Sequence, residues 1–180
     1  RRPQRTRPAA RRGDVAVDAV LERARRIRLL ALDVDGVLTD GRLYLSPEGE
    51  ELKVFHVRDG SGLVAVQRAG ITVAIVSGRD SAAVSRRAAE LGIRHVHQGV
   101  ADKGAELDRL LADLAIDPAE TACVGDDTPD LPMLRRAGLA IAVADAHPAL
   151  AEAVHWTTAA PGGRGAVREV CDLLLSARAP

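Results

Sequence analysis

Four places in the sequence carry side chains suited to phosphorus chemistry. Residues 29–41 read LLALDVDGVLTDG, an apolar run that stops on Asp33 and sets Asp35 two residues further on. Ser77 and Gly78 follow a second apolar run, ITVAIV. Lys103 heads the stretch KGAELDRLLADLA. A third apolar run, TACVG, ends in Asp126 and Asp127, with Asp130 one turn later. Carboxylates crowded around one point repel each other and raise each other's pKa values. A divalent cation removes that cost, and hard oxygen donors suit Mg²⁺, which uses few carboxylates and keeps several waters. Beside such an ion Asp33 stays ionised and can attack phosphorus, forming an aspartyl-phosphate. The acid two residues on points elsewhere; it can protonate a leaving alcohol and later take a proton from water. Ser77 and the backbone amides after Asp33 can bind phosphoryl oxygens, and Lys103 can neutralise charge developing on them.

Lysine usage supports singling out Lys103. The chain holds two lysines, Lys53 and Lys103, against 23 arginines. A compact ammonium fits between a phosphate and carboxylates where a planar guanidinium fork does not. A cation at a helix start also opposes the helix dipole, whereas Asp127 and Asp130 read equally well as acids favoured there. The five histidines, His56, His95, His97, His147 and His155, show no metal-ligand spacing. They read as structural or surface residues.

These groups need a scaffold that gathers them. Residues 14–28 have the apolar period of a helix, and IRLLALDV reads as a buried strand. GRLYLSPEGEELKVFHV reads as a β-hairpin turning at Pro47 and Gly49. Helix and strand then alternate: helix 61–70, strand 71–77, helix 80–92, strand 94–98, helix 103–115, strand 120–126, helix 128–138, strand 138–145 and a closing helix 163–178. Strands apolar throughout, alternating with helices, predict a doubly wound α/β domain with a parallel sheet covered on both faces. The hairpin is an insertion after the first strand. In such sheets ligands bind outside the carboxyl ends of the strands. Asp33, Ser77 and Asp126 all stand at those ends.

Composition narrows the function classes. One Phe, one Tyr and one Trp are too few for a base-stacking nucleic-acid reader. Six arginines and no acid fall in residues 1–12, leaving 19 basic against 25 acidic residues beyond them. Residues 1–13 are expected to form a disordered, solvated basic tail, and 14–180 a single domain. Cys123 and Cys171 make no disulfide framework, which fits a reducing cytoplasm. No apolar stretch approaches the roughly 18 residues of a membrane span, and no signal-peptide pattern is present.

DVDGVLTDG, SGR, a lone lysine and GDDTPDLP, in that order, resemble the four motifs of the haloacid dehalogenase-like (HAD) hydrolases. Within them, the hairpin, FHVRDGSGL, GDDTPDLPML and GGRGAVREV are similar to the subfamily of 3-deoxy-D-manno-octulosonate 8-phosphate (KDO 8-phosphate) phosphatases. The resemblance covers residues 27–175. It implies a HAD-like, Rossmann-like sheet with a minimal cap. Asp33 would be nucleophile and magnesium ligand, and Asp126 the third protein ligand. Asp35 would be the general acid/base, reaching Mg²⁺ through its backbone carbonyl. Asp127 and Asp130 would support. Ser77, Gly78 and Lys103 would hold the phosphate, and Thr39, Arg58, Asp59, Gly60, Arg79 and Arg87 would line the substrate site. Arg164 would help close it. The resemblance further implies a cytoplasmic homotetramer whose hairpins meet at its centre, acting on a small phosphorylated sugar acid in lipopolysaccharide biosynthesis, with no nucleic acid or membrane as partner.

One position departs from the subfamily. Val64 stands where the loop after RDG usually carries a basic residue, so a nine-carbon sugar-acid 9-phosphate or another small phosphate stays open as substrate. Other activities fit less well. A dehalogenase would not need Asp35. A phosphomutase would want a cap to keep water from its intermediate. A phosphoryl-accepting receiver module uses similar residues in a different order, and a silent domain would not need all four motifs intact.

Overall fold

The computed structural model describes residues 12–49 and 51–178. Most of the expected basic tail lies outside the described residues; helix α1 spans Arg12–Ala24. Strand β1 (Leu29–Leu32) is buried along its whole length. The inserted hairpin, β2 (Tyr44–Leu45) and β3 (Glu51–Leu52), pairs antiparallel as expected. Helix α2 (Val57–Arg68) starts four residues earlier than its apolar period indicates, because the His56 side chain caps it by accepting from the Arg58 N–H.

Regular alternation follows: β4 (Thr72–Val76), α3 (Ala82–Glu90), β5 (His95–His97), α4 (Lys103–Leu114) and β6 (Thr121–Gly125). Residues 128–138 do not make the expected helix. Pro129 and Pro132 break the ladder into a 3₁₀ turn, Thr128–Asp130, and a single α turn, α5 (Leu131–Leu134). Strand β7 (Leu139–Ala142), a two-residue strand β8 (Trp156–Thr157) and helix α6 (Ala166–Ser176) complete the fold. The brevity of β8 hid it from the sequence pattern.

The main sheet has six parallel strands in the order β5-β4-β1-β6-β7-β8. Alternate residues of each strand go to opposite layers. Leu30, Leu32, Val73, Ile75, Val124 and Ile141 pack under α1, α2, α3 and α6. Leu29, Ala31, Ala74, Val76, Cys123 and Ala140 pack under α4 and α5 through Leu107, Leu110, Leu111 and Met133. Burying each such leucine is worth about 2 kcal/mol, which anchors β1 between its neighbours. The chain leaves β1 toward β4 and β5, then returns to lay β6 on the other side. The reversal of winding at β1 opens a crevice at its carboxyl end, where Asp33 and Asp35 stand.

Candidate active site

The end of β1 leads into a tight turn. The Asp33 N–H donates to Val124 O at 3.1 Å, continuing the sheet one residue past the strand. Val37, Leu38 and Thr39 then all donate their N–H groups to Val34 O at 2.9–3.2 Å. This turn holds Asp35 on the rim while Asp33 faces inward. Gly36, at φ +89°, makes the turn possible, and a Cβ there would run into the Asp126 carboxylate. Gly36→Ala is therefore expected to push Asp126 aside and weaken Mg²⁺ binding by about 10–100-fold, measurable by calorimetric titration. Unchanged affinity would show that the contact does not matter.

The pocket at the strand ends is an open cavity of about 290 Å³, lined by Asp33, Asp35, Ser77, Gly78, Arg79, Lys103, Asp126, Asp127, Pro129 and Asp130. Lys103 sits at its floor, 5% exposed. Asp102 caps α4 by accepting from the Gly104 and Ala105 N–H groups, which fixes the helix start behind Lys103. The Lys103 ammonium reaches Asp33 Oδ1 at 2.8 Å and Asp130 Oδ1 at 2.6 Å. Asp130 Oδ2 accepts from the Asp126 N–H at 2.9 Å and the Asp127 N–H at 3.3 Å. Asp127 caps the 3₁₀ turn by accepting from the Thr128 N–H at 2.7 Å. The Ser77 backbone is bonded to His97 O and to the Val100 N–H, and its buried hydroxyl accepts from the Arg79 N–H at 3.3 Å beside the cavity.

Carboxylate oxygens of Asp33, Asp126 and Asp130 lie within 4.8 Å of one another. Burial, reinforced by the charge of Asp130, pushes Asp33 up to about 6 from an ordinary value of 3.8. Burial, with the charges of Asp33, Asp130 and Asp127, pushes Asp126 up to about 8. Burial works against the Lys103 charge, but Asp33 and Asp130 outweigh it and hold the ammonium above the usual lysine value. One cation serves three carboxylates, and the remaining negative charge fits a hard divalent ion. Asp130 already has both oxygens engaged, so Asp33 and Asp126 are the side chains with a free ligand atom.

The chain is 51% identical over 166 residues to 3-deoxy-D-manno-octulosonate 8-phosphate phosphatase KdsC of Escherichia coli K12, covering 92% of this chain and 88% of that one. The chain belongs to the KDO 8-phosphate phosphatases of the haloacid dehalogenase-like hydrolases. The Yersinia pestis phosphatase KdsC is 50% identical over the same span, with the same shares of both chains. Residues 95–168 match the model of the family described as haloacid dehalogenase-like hydrolase. Among solved structures, the Moraxella catarrhalis KDO 8-phosphate phosphatase, in complex with magnesium, phosphate and KDO, superposes with a TM-score of 0.88 at 45% identity, covering 89% of this chain and 92% of that one.

In this phosphatase fold the structure gathers Asp33, Asp35, Ser77, Gly78, Arg79, Lys103, Asp126, Asp127 and Asp130 around one cavity. The other expected substrate residues stand outside its walls. The Thr39 hydroxyl accepts from the Gly36 and Gly41 N–H groups and so stitches the loop. Asp59 is buried and accepts from the Arg168 N–H at 2.8 Å, tying α2 to the start of α6. Gly60 leaves room for the Arg87 guanidinium, which lines a separate small cavity with His56 and Phe55. Arg58 and Arg164 are exposed, and Val64 is half-buried on α2. The GGRG loop packs on the catalytic loop: a Cβ at Gly162 would strike Gly36 O, and the Gly163 N–H donates to Val37 O at 2.9 Å. Arg164 is thereby carried next to the Asp35 turn. Lys53 was not singled out for chemistry in the sequence, yet its ammonium contacts Asp35.

Proposed function

We propose that the chain hydrolyses KDO 8-phosphate to KDO and inorganic phosphate through an aspartyl-phosphate on Asp33. The observation that carries this reading is the cavity itself. It places Asp33, Asp35, Ser77, Lys103 and Asp126 together in a chain half identical to phosphatases of that substrate.

Asp33 attacks phosphorus while Asp35 donates its proton to the departing sugar oxygen, so the P–O bond breaks without releasing an alkoxide. Water then attacks the phosphorus of the aspartyl-phosphate. Asp35 takes the water's proton, phosphate departs, and the Asp33 carboxylate is restored. Lys103, the Ser77 hydroxyl and the amides after Asp33 hold the non-reacting oxygens and oppose the charge spreading over them. Asp33, Asp126 and the Asp35 backbone carbonyl would hold Mg²⁺, which when bound neutralises the carboxylates and the phosphate. Asp130 keeps Lys103 in place, and the half-exposed Arg79, paired with Glu51, lines the pocket as the cation for the substrate carboxylate.

Phosphate release from a panel of sugar phosphates, with and without EDTA, tests the reading. Metal-dependent turnover strongly favouring KDO 8-phosphate is expected. Preference for a nine-carbon sugar-acid 9-phosphate, in line with Val64, would keep the chemistry and replace the substrate.

The same reading places the protein in the cytoplasm, in lipopolysaccharide precursor synthesis. No helix among the described residues is long and apolar enough to cross a membrane. The hairpin supports a homotetramer: Leu43, Tyr44, Leu45, Leu52 and Val54 are 40–65% exposed, an apolar surface a monomer would leave in water. Sedimentation velocity is expected to give four chains per particle; a monomer at micromolar concentration would refute this.

A further inference from the structure

Both lysines of the chain are buried in acidic company, and each holds one member of the Asp33–Asp35 pair. Lys103 serves Asp33. Lys53, carried just after β3 on the hairpin, serves Asp35, and its side chain is 2% exposed. Its ammonium contacts Asp35 Oδ1 and reaches Glu51 Oε1 at 3.3 Å. Arg79 closes the ring, with Nη2 at 2.7 Å from Glu51 Oε1 and Nε at 3.7 Å from Asp35 Oδ2. Both oxygens of Asp35 thus face cations, and Glu51 fixes the two cations relative to each other. A buried ammonium is costly unless its carboxylates stay in place, so Lys53 and its two carboxylates hold one another in position. That arrangement keeps the Asp35 carboxylate out of the cluster formed by Asp33, Asp126 and Asp130.

We propose that Lys53 is a positioning residue: held by Glu51 on the hairpin, it orients the Asp35 carboxylate toward the leaving oxygen of the substrate. The proposal rests on the phosphatase reading in which Asp35 is the proton donor. In the first half-reaction the bond from phosphorus to the leaving oxygen breaks. Its electron pair goes to that oxygen, and the proton comes from Asp35. A sugar alcohol needs this proton, whereas p-nitrophenolate leaves as the anion. Displacing a reacting group by about 1 Å can cost on the order of 10²-fold. Loss of Lys53 should therefore be felt with the sugar phosphate and not with the aryl phosphate, a pattern that general damage to the pocket would not produce.

The experiment measures single-turnover phosphorylation of the full-length, Mg²⁺-loaded protein by KDO 8-phosphate and by p-nitrophenyl phosphate. The variants are Lys53→Met, Lys53→Gln, Asp35→Asn and the Lys53→Met/Asp35→Asn double variant. Lys53→Gln leaves a donor for the buried carboxylates and serves if Lys53→Met fails to fold. Lys53 variants are expected to slow the KDO 8-phosphate reaction by about 10–100-fold and the aryl phosphate reaction by no more than about threefold. Adding Lys53→Met to Asp35→Asn should change nothing further. Equal loss on both substrates, no loss on either, or full additivity in the double variant would overturn the proposal. If Asp35→Asn shifts the ratio of the two rates and the Lys53 variants do not, the positioning role alone fails. If Asp35→Asn leaves that ratio at its wild-type value, the proton-donor reading fails and the proposal with it.

Discussion

Asp33→Asn is expected to lower phosphate release by about 10⁴-fold or more while leaving the protein folded. The chemical loss is total for a covalent route, because an amide cannot serve as the nucleophile that Asp33 is taken to be. Stability should survive for a separate reason. Asp33 is 7% exposed, and burial together with Asp130 already disfavours its charge, which lifts it to about 6. A neutral amide of the same shape removes that repulsion and gives up a charge-assisted bond to Lys103. The two effects oppose each other, so the melting temperature should shift by only a few degrees. Paired measurements of phosphate release and thermal melting check both halves. Activity within tenfold of wild type would refute the assignment, and collapse of the fold would refute the account of the site's electrostatics.

Removing Mg²⁺ is expected to abolish turnover and to lower stability by an amount that grows with pH. Asp33 and Asp126 have folded pKa values raised to about 6 and about 8, against an ordinary 3.8. A carboxyl group raised in this way favours the fold while protonated, and loses that advantage as pH climbs through the folded value. The metal-free protein should therefore melt at progressively lower temperature between about pH 4 and pH 8. The bound ion supplies the missing positive charge, and its ligands no longer have to give up protons at the upper end. Thermal melts at pH 5.5 and 8.5, with and without Mg²⁺, should show the larger metal-induced rise at pH 8.5. An equal or larger rise at pH 5.5 would mean that these two groups do not bind the ion.

The parallel sheet and the strand ends were legible because their signal is local. Apolar runs that stop on Asp33, Ser77 and Asp126 state both the strand and its functional end. Residues 128–138 misled because the apolar period of LPMLRRAG continues through Pro132, where the backbone cannot continue the ladder. The two residues of β8 are too few to show a period at all. Side-chain partnerships were harder to foresee. Lys53 lies 18 residues from Asp35, and only the hairpin's fold brings them together. Thr39 and Asp59 were expected at the substrate because the family resemblance places them there. The structure engages the first with loop amides and the second with the head of α6. Lys103 was legible for a compositional reason, as one of two lysines in an arginine-rich chain, and the same reason applied to Lys53.

Phosphate is expected to leave in two displacements, with Asp33 carrying the phosphoryl group between them. Each in-line displacement inverts the configuration at phosphorus. The direct measurement uses the phosphorothioate analogue of KDO 8-phosphate, made chiral at phosphorus by sulfur and two different oxygen isotopes and hydrolysed in water of the remaining isotope, so that the thiophosphate released is itself chiral. Two displacements predict thiophosphate with net retention of configuration. Net inversion would mean that water attacks the substrate directly, and would contradict the role given to Asp33.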